Sequence, residues 1–140
     1  MFDGLAMERV VPIETDVGTL AGRDCIYLDK TQRSVSGDSL VLEGGIMGAL
    51  CRPRRDDVEI PYCLVFHGVA KVEQLDIDSW WPEAPNDTTS SFFEIVESSW
   101  ARDIGASPGA RHFVIQTYDE VFKVVCGGYT LTLGGGDGSN

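Results

Sequence analysis

The chain of 140 residues carries 22 Asp and Glu against 11 Lys and Arg, a formal charge of −11, and 43% of it is apolar. That length and apolar share fit one folded domain and exclude wholesale disorder, while the charge sets phosphate backbones and anionic lipid heads aside as partners. Residues 1–71 hold 11 acids and 8 bases and residues 72–140 hold 11 acids and 3 bases, so the C-terminal half is the anionic pole.

Residues 1–18 mix charges with Pro12, Gly18 and a short apolar run around Val10 to Ile13, and read as a loosely ordered arm or an edge strand. The start lacks the basic head and unbroken apolar core of a signal peptide, and no run approaches the roughly 18 apolar residues of a membrane span. The four cysteines, Cys25, Cys51, Cys63 and Cys126, are far apart, with neither a C-x-x-C pair nor zinc-ligand spacing. A reducing cytoplasm is the expected setting, with no metal and no cofactor. Cys63 and Cys126 stand inside apolar runs and are expected to act as small buried hydrophobes.

A single β-rich domain is expected over residues 19–133. Residues 19–28 and 39–50 read as strands separated by a hairpin loop over 31–38, and the glycines of SLVLEGGIMGAL mark a bulge or a close backbone approach. Residues 51–59 form a charged excursion with Arg52, Arg54 and Arg55 around Pro53, offset by Asp56 and Asp57. Apolar strands follow at 62–66 and 69–77.

Residues 72–101 carry seven carboxylates and all three tryptophans but no Lys or Arg. Within them, Asp76, Asp78, Trp80, Trp81, Glu83 and Asp87 form the candidate interaction surface, because tryptophan supplies large contact area and is enriched at interface hot spots. Asp76 and Asp78 would share a strand face, yet the glycine and distal Glu of a calcium loop are missing, so no metal site is read there.

Residues 91–104 (SFFEIVESSWARDI) satisfy two patterns. Ser91 with Glu94 matches a capping box and Phe92, Val96, Trp100 and Ile104 recur every four residues, whereas Phe92, Phe93, Ile95 and Val96 favour a strand. A strand over 91–97 followed by a short helix capped by Ser98 or Ser99 is the reading adopted, with Trp100 entering the core. RHFVIQT, VFKVVC and YTLTL, separated by Tyr118–Asp119–Glu120 and Gly127–Gly128, describe a three-stranded meander in which Lys123 faces solvent. The glycine-rich GGGDGSN ending reads as a flexible tail.

FFEIVESSWARDI followed by RHFVIQTYDEVFKVVCGGY resembles small bacterial β-rich domains in which a strand, a Ser-and-Trp turn into a short helix, and a closing hairpin occur in that order. The resemblance covers the last third of the chain. It implies a β-rich fold and an immunity or interaction module, and it transfers no active-site residue.

The expected fold is mainly β, an antiparallel sandwich or small barrel of six to eight strands with one short helix. The expected function is a non-enzymatic acidic interaction module for a basic protein partner, with no catalytic residue, no nucleic acid and no membrane. The alternative is a ligand-binding or hydrolytic domain with a pocket at a strand end formed by Tyr62, His67 and Asp76.

Overall fold

The computed structural model describes residues 8–22, 24–53, 59–76, 78 and 90–134. Among them, twelve strands form three antiparallel sheets. They are β1 (Arg9–Pro12), β2 (Glu14–Thr15), β3 (Gly18–Leu20), β4 (Ile26–Arg33), β5 (Ser39–Met47), β6 (Cys51–Arg52), β7 (Glu59–His67), β8 (Lys71–Asp76), β9 (Phe92–Val96), β10 (Arg111–Gln116), β11 (Glu120–Cys126) and β12 (Gly128–Leu133). One α-helix, α1 (Ser99–Asp103), and a 3-10 turn at Gly48–Leu50 complete the described elements. The count exceeds the expected six to eight because several strands are only two to four residues long, too short to leave an alternating pattern in sequence.

The five-stranded sheet β1-β9-β10-β11-β8 packs against the four-stranded sheet β12-β7-β5-β4 in a sandwich-like arrangement with no closed barrel, while β2-β3-β6 forms a smaller sheet. Alternation explains the core. On β7, Tyr62, Leu64 and Phe66 point inward and are buried; on β5, Leu40, Leu42 and Ile46 do the same. They meet Phe92, Phe113, Ile115, Phe122 and Val124 from the opposing sheet. The aromatic centre is tilted and edge-on, with Phe66–Phe113 at 5.8 Å, Phe92–Tyr129 at 5.3 Å and Phe113–Tyr129 at 5.2 Å between ring centroids, the arrangement that ring quadrupoles favour.

The other face of the five-stranded sheet is also covered. Phe93, Val114 and Val121 are fully buried there, with Val10, Leu75 and Ile95 packed on them. This overturns the expectation that Lys123 faces solvent. Lys123 shares that face, its side chain is 18% exposed, and its ammonium lies 3.1 Å from Glu73 and 4.9 Å from the Trp100 ring centroid.

The meander is also corrected. β10 and β11 form a hairpin, but β12 leaves their sheet and pairs with β7 across the sandwich. Gly127 makes this crossing possible by donating its N–H to the His67 carbonyl at 2.8 Å, beside Gly68 at φ +63°. A glycine pair reads as a hairpin turn from sequence alone, and only the partner strand separates a turn from a sheet change. The segment 91–104 resolves as expected into β9 and α1, with Ser98 as the helix cap accepting the Ala101 N–H at 3.1 Å. Trp100, expected in the core, instead lies half-buried over His112 and Lys123.

Candidate functional site

Four of the six surface residues expected from sequence, Trp80, Trp81, Glu83 and Asp87, lie outside the described residues. Asp76 ends β8, exposed and in register with Glu120, and Asp78 is exposed just beyond it. Glu120 accepts a hydrogen bond from the Gln74 side-chain amide and leads directly into the β10–β11 turn. Asp76 and Glu120 thus stand at the end of the sandwich where that turn lies.

A stacked tyrosine pair stands at this end. Tyr118 donates its backbone N–H to the Ile26 carbonyl at 2.8 Å, which brings its ring onto Tyr27 with centroids 5.2 Å apart and planes 12° from parallel. Tyr118 is 40% exposed, among the most exposed large aromatic or aliphatic groups described. Partial desolvation under the stack, then the negative charge of Asp24, then Tyr118, Asp119 and Glu59, hold the Tyr27 phenol above its usual pKa. The stack therefore lies in the negative field of Asp24, Asp119 and Glu59. Aromatic faces and carboxylates both attract cations, so the arrangement suits a Lys or Arg side chain.

Tyr62 supports this end from inside. Its ring is buried and its hydroxyl donates to the Tyr27 carbonyl at 3.1 Å, with burial the main cause of a raised phenol pKa. That placement separates Tyr62 from the other residues of the expected strand-end pocket. Along β7, residues 62 and 67 differ by an odd number, so Tyr62 enters the core while His67 faces outward at the other end of the strand, 2.8 Å from Thr130 Oγ1. Asp76 belongs to the other sheet. The three residues are not brought together.

A cleft of about 430 Å³ beside α1 is lined by Glu94, Glu97, Arg102, Arg111, Ser98 and His112 among others. Ser98 Oγ is 2.8 Å from His112 Nδ1, a spacing that invites a nucleophile and base. The chemistry argues against it. Burial, then the Lys123 charge, push the His112 pKa down to about 4, too weak a base near neutrality, and Ser98 is engaged as a helix cap. In the same cleft Arg111 is committed to Glu94 through two hydrogen bonds of 2.8 and 2.9 Å. Among the described residues no three His, Cys, Asp or Glu side chains cluster to hold a metal.

Sequence reasoning missed Tyr27, Tyr118, Asp24, Asp119 and Glu59 as a group. The available signal was an aromatic between acids at a hairpin turn, Tyr118–Asp119–Glu120, where a purely structural turn has no use for a large ring. Comparison with protein-family models, curated proteins and solved structures gives no match. No described helix is long and apolar enough to cross a membrane.

Proposed function

We propose that the chain is a non-enzymatic interaction module that takes a basic protein partner at its tyrosine-bearing acidic end. The observation that carries this reading is the Tyr27–Tyr118 stack beside Asp24, Asp119 and Glu59, with Asp76 and Glu120 on the adjoining strands. An exposed aromatic pair gives contact area at little entropic cost, and the surrounding charge accelerates encounter with a cationic surface and rejects acidic ones. The net charge of −11 acts in the same direction over longer range. A bacterial immunity-type inhibitor of a cationic toxin, working in a reducing cytoplasm, is the specific case favoured by the resemblance of the last third.

The test is capture of basic proteins from the native source on immobilised wild-type protein, an Asp24→Asn/Asp119→Asn variant, Tyr118→Ala, and a charge-matched Asp38→Asn/Asp103→Asn control. Asp38 lies at the far end of β5 and Asp103 ends α1, and both are exposed. The reading expects a basic protein that the wild type and the control retain and the first two variants lose. Equal retention by all four, or equal loss from both double variants, would contradict it.

A further inference from the structure

Cys25 and Cys51, separated by 25 residues of sequence, meet in the core, 0% and 2% exposed. The Cys25 thiol lies 3.9 Å from the Leu50 carbonyl oxygen, on the peptide that joins Leu50 to Cys51. The Cys51 thiol turns toward the Met47 carbonyl at 3.7 Å, and Met47 in turn donates its N–H to the Cys25 carbonyl at 2.8 Å. Burial first, then the neighbouring Cys51 side chain, raise the Cys25 pKa. Two thiols held near one another on backbones tied together in this way are candidates for a disulfide.

A route to the pair is present. A cleft of about 250 Å³ is walled by Ala21, Ala49, Leu50, Cys51, Arg52 and Pro53, and Cys51, though only 2% exposed, is the thiol of the pair that lines it. We infer that Cys25 and Cys51 are a reversible dithiol–disulfide site, oxidised by a peroxide that enters through this cleft.

The chemistry balances with hydrogen peroxide as oxidant. The Cys51 thiolate attacks one peroxide oxygen, the O–O bond breaks, and hydroxide leaves as Cys51 becomes a sulfenic acid. The Cys25 thiolate then attacks that sulfur and displaces a second hydroxide. Two thiol protons convert the hydroxides to water, giving one disulfide and two waters per peroxide consumed. Burial pushes the Cys25 pKa up to about 12, so little thiolate exists at neutral pH and the second step is slow. The disulfide therefore accumulates only over prolonged incubation. The product ties the start of β4 to β6 and closes a loop that includes the whole of β5.

The test uses folded full-length protein carrying Cys63→Ser, which removes the half-exposed thiol most prone to competing oxidation. After prolonged peroxide treatment under native conditions, the sample is unfolded, alkylated and digested without reductant for mass spectrometry. The expected result is a peptide pair linked through Cys25 and Cys51, two hydrogens lighter than the separate peptides and released by dithiothreitol. The same treatment of Cys63→Ser/Cys51→Ser should yield no linked pair. If folded Cys63→Ser ends with Cys25 fully alkylatable, or with a different pairing, the inference fails.

Discussion

Ser98 holds a helix cap and a buried imidazole with one oxygen, so its loss should cost more than an ordinary surface serine. It accepts the Ala101 N–H and bonds His112 Nδ1, while His112 Nε2 has no partner among the described residues. Protonating the ring would place an unpartnered charged donor in a buried site near the Lys123 ammonium, which is why its pKa falls to about 4 from an ordinary 6.5. Between those values the unfolded chain binds the proton and the folded chain does not. Stability should therefore fall as pH drops from about 6.5 to about 4 and be unaffected by this group below that, with a total of at most about 3 kcal/mol. Glu8, whose carboxylate is held low by the Ser99 N–H and hydroxyl, adds a loss in the same direction only below its ordinary value of 4.5. Thermal unfolding across pH should show this slope, and His112→Asn should flatten it above pH 4.5. Ser98→Ala should lower stability by about 1–2 kcal/mol in urea titration. Alternation along RHFVIQT sets His112 opposite Phe113 and Ile115, but its burial is not legible there, because that face is covered by a second apolar layer.

At the scale of elements, the paired glycines of β5 show how far sequence reaches. A bulge or close approach was legible at Gly44–Gly45, and β4 does break register between Leu28 and Lys30 opposite them. Their different roles were not legible. A Cβ on Gly44 would lie 1.9 Å from the Tyr27 backbone oxygen, whereas one on Gly45 would meet the flexible Glu59 side chain. Gly44→Ala should therefore cost about 2–4 kcal/mol and Gly45→Ala about 1 kcal/mol or less, read from urea midpoints. Gly44→Ala also disturbs the backbone that carries Tyr27, so it should weaken partner binding beyond its effect on stability. β9 and α1 were readable because apolar, β-branched residues give way to a serine cap within one segment. Glu94, which the capping-box pattern not adopted would pair with Ser91, lies on the strand and pairs with Arg111 across the sheet, and Ser91 donates its N–H to the Leu20 carbonyl. Local patterns cannot distinguish such partners because both choices satisfy the same short-range chemistry.

For the whole molecule, the acidic surplus and the mainly β class were available from composition and alternation, while the meeting of Tyr27 with Tyr118 depended on contacts between residues 91 positions apart. Charge alone would attract any polycation weakly and everywhere. The proposed contact is narrower, focused where the aromatic stack and the carboxylates coincide. Raising salt should weaken encounter through long-range charge but leave the contribution of the tyrosines in place. The most direct measurement is a backbone-resolved NMR titration of the protein with an arginine- and lysine-rich peptide at near-physiological salt, comparing wild type with Tyr118→Ala, which leaves net charge unchanged. The proposed contact should give shifts concentrated at Asp24, Tyr27, Tyr118, Asp119 and their strand neighbours, and binding weakened about tenfold by the substitution. Shifts spread evenly over the acidic surface, with the same affinity for Tyr118→Ala as for wild type, would contradict it.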